Sequence, residues 1–587
     1  MKEYQRWCEL AVSDEDVKNE LEQMQGKDEV IEDAFYRNLA FGTGGLRGVI
    51  GAGTNRMNIY TVAKASQGLA DYVKECFETS QWKIAISYDS RIKSDIFAKV
   101  AGQVFLANGI EVWIYPELMP TPCLSFAVRE LKCAAGVMVT ASHNPAKYNG
   151  YKVYGADGCQ ITTEAAKEIL EKIERIDIFK DVKGLERIEA ARTEVVGTEI
   201  ESSGIGDKED DELGKESHVL KTGQMNLVPE EVTTKFVECV KAQSLLTNED
   251  KVDKGLSIVF TPLNGTGLKP VLRTLKESGY TNITVVKEQE NPDGNFTTCP
   301  YPNPEIREAM DLGIQYAKAH NADLLLATDP DCDRVGIAVK GKEDYVLLSG
   351  NETGLLLFDY ICSRRQELGL MPEYPVMAKT IVTTDMGEQI AAHYGVEVIN
   401  VLTGFKFIGE QIGFLEQQGR EKDYIFGFEE SYGYLSGSYV RDKDGVNAAF
   451  LICEMFAYYQ SKGISLLEKL QELYDAYGYC LNTLHSYEFE GAVGFEKMQQ
   501  IMEKFRGGVS SLGGRDVKRC LDYSLGIDGL PKSNVLKFYL EGNCSVVVRP
   551  SGTEPKLKLY LSISASGQQE ALAMEELLLK DFKGYMD

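Results

Sequence analysis

Downstream of a glycine-rich run, 41-FGTGGLRGVIGAGTN-55, short apolar runs alternate with amphipathic segments. The run 83-KIAISYD-89 leads into 94-SDIFAKVAGQVFLANG-109, which reads as a helix, and then into 110-IEVWIY-115. Further apolar runs return at 133-CAAGVMVT-140, 256-LSIVFTP-262, 281-TNITVVK-287, 323-DLLLAT-328 and 424-YIFGFE-429. Strand, helix and strand in this order predict α/β domains with mostly parallel sheets. Upstream, residues 2–40 alternate charge around a thin apolar stripe and predict helices. The C-terminal part follows a different pattern. There 535-VLKFYL-540, a turn at 541-EGN-543 and 544-CSVVVR-549 predict a hairpin. The alternating 556-KLKLYLSI-563 adds a strand, and a helix closes a smaller α+β domain.

A chain of 587 residues is too long for one core and implies about three to five domains. The acidic, aromatic-free segment 199-EIESSGIGDKEDDELGKES-217 breaks the alternation and predicts a surface insertion near a domain boundary. No apolar stretch approaches the ~18 residues that cross a bilayer. The acidic, amphipathic start is neither a signal nor a transit peptide, so the expected address is cytoplasmic. A formal net charge of −26 argues against nucleic acid or an anionic membrane as partner. A phosphorylated metabolite stays open to such a chain if basic groups gather locally. Thirteen cysteines without a CxxC pair, and five scattered histidines, predict reduced thiols and no zinc site.

Candidate chemistry sits at the ends of the apolar runs. Ser142, in 139-VTASHN-144, has no glycine two positions to either side, so it does not fit a hydrolase nucleophile elbow. His143 is adjacent in sequence, and its side chain should diverge from that of Ser142, which makes it a poor triad base. In 328-TDPDCDRVG-336, Asp329, Asp331 and Asp333 occupy alternate positions, so an extended loop can converge all three carboxylates. Three like charges that close need a cation, and hard oxygen ligands suit Mg²⁺ or Mn²⁺. An EF-hand fails here, because Arg334 and Lys340 stand where that loop needs Gly and Glu. In 549-RPSGTEPK-556, Arg549, Ser551, Gly552 and Thr553 offer a guanidinium, hydroxyls and backbone N–H groups suited to a phosphate dianion. Glu429 and Ser431, in 427-GFEESYG-433, can reach neighbouring hydroxyls of a sugar. Arg47, in 42-GTGGLRG-48, is a lone cation in a glycine-rich loop that matches neither a P-loop nor a dinucleotide fingerprint. The polar loops 261-TPLNGTG-267 and 289-QENPDGNFTTCPYPNPE-305 receive no role from chemistry alone.

The order FGTGGLRG, TASHNP, DPDCDR, GFEES, RPSGTEPK resembles that of the α-D-phosphohexomutase superfamily over roughly residues 40 to 587. The further runs TPLNGTG and DGNFTTCPYPNPE look like its phosphoglucomutase and phosphomannomutase branch, in the long form with an N-terminal helical extension. The resemblance implies four domains around a central cleft: three related mixed α/β domains and a smaller C-terminal α+β domain. Expected limits are 1–40 for the extension, then 41–200, 201–340, 341–470 and 471–587. It implies that Ser142 is a phosphoserine with His143 and Lys152 beside it. Asp329, Asp331 and Asp333 would hold Mg²⁺, which also meets the phosphoryl group on Ser142. Thr403, Gly404, Glu429 and Ser431 would contact the sugar, and Arg549, Ser551, Gly552 and Thr553 the distal phosphate. Arg47, Arg334 and Lys443 would be further cations.

The implied reaction interconverts hexose 1-phosphate and hexose 6-phosphate, glucose first, with glucose 1,6-bisphosphate as intermediate and activator. Phosphomannomutase, phosphopentomutase, sugar bisphosphate synthase and a non-catalytic sugar-phosphate sensor are the alternatives. The expected partner is the phosphorylated sugar, and the expected state a monomer or small homo-oligomer. One departure matters: no histidine follows the E-x-S reader in 431-SYGYLSGSYVRDKDG-445. Lys443 or Lys152, with a pKa lowered by burial and neighbouring cations, therefore joins His143 as a candidate base, and the choice among them stays open at this point.

Overall fold

The computed structural model describes residues 1–42, 44–185, 224–489, 491–527, 529–551 and 556–586. The acidic segment 199–217, with Gly552 and Thr553, lies outside the described residues. The chain divides into two compact units. The first is Met1–Phe236 with Asn264–Thr266 and Asn291–Pro302; the second comprises Val237–Leu263, Gly267–Glu290 and Asn303–Asp587.

Three short helices open the first unit, Lys2–Leu10, Glu15–Met24 and Asp28–Phe35. Their thin apolar stripe is buried: Trp7 and Ala34 are fully covered, and Val17, Leu21 and Ile31 nearly so. They share one core with the helix Ile59–Cys76 and the sheet, and Trp7 lies edge-on to Tyr60, Phe35 and Phe179. The six-stranded sheet runs Gly45–Val49, Tyr148–Gly155, Ala135–Val139, Lys83–Tyr88, Glu111–Ile114, Met225–Leu227. Its last four strands pair in parallel, whereas the first two pair antiparallel. Gly45, at φ 146°, lies so close to the neighbouring strand that a Cβ would sit 1.9 Å from the Tyr151 carbonyl oxygen. This close approach seats the Arg47 strand.

The second unit carries three sheets. One, ordered Tyr345–Leu348, Val335–Lys340, Leu324–Thr328, Ile258–Thr261, Ile283–Val285, is parallel at one end and antiparallel at the other. Another, Glu397–Val401, Val376–Thr380, Tyr424–Glu429, Gly433–Leu435, is parallel with one antiparallel edge. The expectation of mostly parallel sheets is thus corrected to mixed ones. An apolar run fixes burial, not strand direction. Three of the antiparallel strands, Tyr148–Gly155, Val335–Lys340 and Gly433–Leu435, follow a strand that ends in a chemistry-bearing loop and fold straight back.

The third sheet is wholly antiparallel and contains the expected hairpin, Leu536–Leu540 with Cys544–Pro550, turning through Gly542 and Asn543 at positive φ. The helix Gln568–Met586 closes it. The thirteen cysteines are present as thiols. Among the described residues no helix is long and apolar enough to cross a membrane.

Candidate active site

In the first unit the buried strand Ala135–Val139 delivers Ser142 into a turn, with its backbone left-handed at φ 50°. The Ser142 N–H donates to Thr140 Oγ1 at 2.8 Å, and Thr140 Oγ1 donates to Asp89 Oδ2 at 2.6 Å. Ser142 Oγ lies 3.3 Å from His143 Nδ1, so the adjacent ring does not diverge as the sequence suggested. Lys152 sits on the neighbouring antiparallel strand, in register with Met138 and Gly45, and Arg47 is exposed opposite Gly150. Ser142, His143, Lys152 and Arg47 therefore share one end of one sheet.

In the second unit Leu324–Thr328, buried throughout, ends at Asp329. Cys332 takes the left-handed conformation at φ 50°, and Asp329 Oδ1 accepts from the N–H groups of Asp333 and Arg334 at 3.1 and 3.0 Å. The loop closes on itself, and Asp329, Asp331 and Asp333 bring ligand atoms within 4.8 Å of one another. All three are buried. Burial first, then the charges of Asp333 and Asp331, push the Asp329 carboxyl well above the usual range. Three crowded, desolvated carboxyl oxygens fit a hard divalent cation, which would remove that repulsion.

Two cations tie this loop to the next. Arg334 pairs with Glu305, donates to the Ser431 carbonyl at 3.1 Å, and lies 3.7 and 3.9 Å from Asp333 and Asp329. Lys443 Nζ is 3.1 Å from Asp333 and 3.4 Å from Asp442. Burial would lower the Lys443 ammonium, but Asp333, Asp442 and Glu429 override it and raise it. The expected low-pKa base at Lys443 is thus corrected: the carboxylates of Asp333, Asp442 and Glu429 around it outweigh burial and the one neighbouring cation, Arg334.

Glu429, at the end of the buried strand Tyr424–Glu429, accepts from the Gly404 N–H at 3.0 Å. Burial lifts its carboxyl, and Lys443 only partly opposes this, leaving it at about 7. The Thr403 hydroxyl beside it is buried without a hydrogen-bond partner among the described residues, as a ligand-facing donor would be. Glu430 accepts from both Thr380 and Thr383 at 3.1 Å. The third loop leaves the strand Cys544–Pro550. Arg549 Nη1 donates to Tyr560 OH at 3.5 Å, and the Ser551 N–H donates to the Lys556 carbonyl at 2.7 Å. Tyr560 is raised by burial and then by the Glu430 charge, so this loop and the Glu429 loop share one field.

Sequence reasoning passed over Asp89, Arg91, Glu305 and Asp442. Each lies in a polar turn that resembles a solvated one. The available signal was position: Asp89, like Ser142 and Asp329, falls just past a buried strand.

The family model described as phosphoglucomutase/phosphomannomutase matches in four parts. Alpha/beta/alpha domains I, II and III match residues 38–179, 234–342 and 349–477, and the C-terminal domain matches 516–579. A phosphoglucomutase of Staphylococcus saprophyticus is 36% identical over 551 residues, 91% of this chain and 92% of that one. One of Staphylococcus aureus is 35% identical, with 95% of each chain covered. In fold, the chain is similar to the open form of pp63/parafusin, a phosphoglucomutase from Paramecium, at a TM-score of 0.68, 19% identity and coverage of 94% and 96%. A phosphoglucomutase/phosphomannomutase family protein of Burkholderia thailandensis gives 0.64 and 17%, covering 93% and 97%. The chain belongs to the phosphoglucomutase/phosphomannomutase branch of the α-D-phosphohexomutase superfamily.

Proposed function

We propose that this chain is a phosphoglucomutase that interconverts glucose 1-phosphate and glucose 6-phosphate through a phosphoserine at Ser142. The observation that carries the reading is the buried Asp329, Asp331 and Asp333 cluster, which Arg334 and Lys443 tie to the Glu429 loop. A cluster of acids beside fixed cations suits phosphoryl transfer, where positioning and charge stabilisation supply most of the rate.

In this mechanism a free hydroxyl of the bound hexose phosphate attacks the phosphorus on Ser142. The new P–O bond forms as the bond to Ser142 Oγ breaks. The resulting 1,6-bisphosphate turns over, Ser142 Oγ attacks its other phosphoryl group, and the isomeric monophosphate leaves. Asp329, Asp331 and Asp333 would hold Mg²⁺, which supplies Lewis-acid stabilisation of the phosphoryl oxygens when bound. Arg47 and Lys152 balance the charge of the travelling phosphoryl group. His143 or Lys152 moves the hydroxyl proton, whereas Lys443 stays charged and holds Asp333 and Glu429 in place. Thr403, Gly404, Glu429 and Ser431 read the sugar hydroxyls. Arg549, Ser551, Gly552 and Thr553 clamp the distal phosphate in either substrate orientation. Four domains, each supplying one loop, and a cytoplasmic address complete the proposal.

Peptide mass spectrometry of gently purified protein tests it. Phosphate is expected on the peptide containing Ser142 and should be lost on adding glucose 1-phosphate with Mg²⁺. Ser142→Ala should abolish turnover; an active Ser142→Ala enzyme sinks the mechanism. Parallel assays on glucose, mannose and ribose phosphates fix the sugar, and a tenfold preference for ribose would overturn the choice of glucose.

A further inference from the structure

We infer that Arg91, seated by Asp89, is the positioning residue that holds the Ser142 loop in its working shape without itself meeting the phosphoryl group. The inference rests on Ser142 being the phosphoryl carrier. The Arg91 side chain is fully buried, although arginine rarely is. Its Nη2 donates to the carbonyls of Ser142 and Asn144, and its Nη1 donates to those of Pro145 and Tyr148, both at 3.1 Å. Its Nε lies 3.3 Å from Asp89 Oδ2. One face of the guanidinium covers the Phe296 ring, 5.0 Å from its centroid. That ring can come so close because residue 294 is glycine. A Cβ there would meet the Ile92 nitrogen at 2.7 Å and the Ser90 carbonyl oxygen at 2.9 Å.

Asp89 reaches both the N–H and the carbonyl of Ser142, through Thr140 and Arg91. It accepts from the Arg91 N–H at 3.0 Å, from Ser94 Oγ at 2.7 Å and from Thr140 Oγ1 at 2.6 Å. Thr140 Oγ1 in turn accepts the Ser142 N–H. The amide of Ser142 is thus anchored through Thr140, and its carbonyl through Arg91, to one carboxylate. Ser142 needs that grip because a non-glycine residue at φ 50° persists only where its surroundings over-determine it. The guanidinium spends both terminal nitrogens on backbone carbonyls, which assigns it to the loop. The shape of the side chain matters as much as its charge, since a lysine ammonium cannot reproduce a planar fork that reaches four carbonyls.

The test uses full-length Arg91→Lys, Arg91→Ala and Asp89→Asn proteins, checked for folding by circular dichroism. Hydrogen exchange over residues 140–149 is read beside kcat and KM for glucose 1-phosphate. Arg91→Lys should speed exchange in that peptide and lower kcat about 100-fold, the loss typical of a misplacement near 1 Å, with KM changed less than about 3-fold. Asp89→Asn keeps the side-chain volume and should show the same split, which covers an arginine variant that fails to fold. Exchange and kcat at wild-type levels in Arg91→Lys or Asp89→Asn overturn the inference. So does a tenfold rise in KM at unchanged kcat, which marks a substrate contact. An active Ser142→Ala enzyme would remove the phosphoserine reading, and the exchange result would still judge the grip on the loop.

Discussion

Ser142, Cys332 and Tyr432 each take a left-handed backbone at the loop that follows a buried strand. Such conformations cost on the order of 1 kcal/mol for a residue with a Cβ; at Ser142 and Cys332 the loop is held by hydrogen bonds that buried Asp89 and Asp329 accept, and at Ser142 also by those that Arg91 donates. The acids are strained in their own way, because three buried carboxylates share one small volume and repel one another. Asp331→Asn should therefore raise the melting temperature of chelator-treated protein. It should also erase the rise that Mg²⁺ gives the wild type and abolish turnover. A metal-free variant that melts below wild type would contradict this account. Whereas a role for Ser142 came only from the resemblance, the cluster of three aspartates was legible because residue type and spacing carry the chemistry. Arg91 was not, because what it does depends on carbonyls 51 to 57 positions away. Lys443 was misread for a similar reason: besides adjacent Asp442 it meets Asp333, which lies far from it in the sequence.

At the scale of elements, each capping and packing feature has a measurable weight. The helix Gly445–Ser461 is capped by Asp444, which accepts from the N–H groups of Val446 and Asn447 at 2.8 and 2.9 Å and from Tyr439 OH. Asp444→Ala should cost about 1–2 kcal/mol in denaturant titration, at the upper end because the site is buried. The N-terminal helices hold by packing, so Trp7→Ala should cost about 3–5 kcal/mol and lower the melting temperature of the first unit. A variant within 1 kcal/mol of wild type would show the extension to be a mere appendage. These helices, the strands and the C-terminal hairpin were readable from periodicity and turn chemistry. Strand direction was not, since parallel and antiparallel neighbours bury the same residues.

Across the second unit, a buried ion cluster joins the sheet containing Val376–Thr380 to the C-terminal sheet. Asp385 lies 2.8 Å from Lys537 and 3.4 Å from Lys379, and it accepts from Ser545. Burial alone would raise its carboxyl; the two ammonium groups override that and hold it at about 2. A carboxyl depressed from 3.8 to about 2 contributes about 2 kcal/mol of stability above pH 3.8, lost as the pH falls through 2. Asp385→Asn should thus be less stable than wild type at pH 6, and urea titrations should show the gap closing between pH 4 and pH 2. A gap independent of pH would mean that packing, and not charge, joins these sheets.

The first unit takes in Asn291–Pro302, a segment made long after the rest of it, and the ring that covers Arg91 belongs there. On the ribosome, at about 5–20 residues per second, Phe296 follows Arg91 by roughly ten to forty seconds. Until then the nascent chain carries a guanidinium with one face bare and a serine turn braced from one side. On the proposed reading of Ser142 as the phosphoryl carrier, competence to accept phosphate is therefore a late event in the life of each polypeptide. A chain terminated before residue 296 would carry Ser142 without the brace that completes its setting.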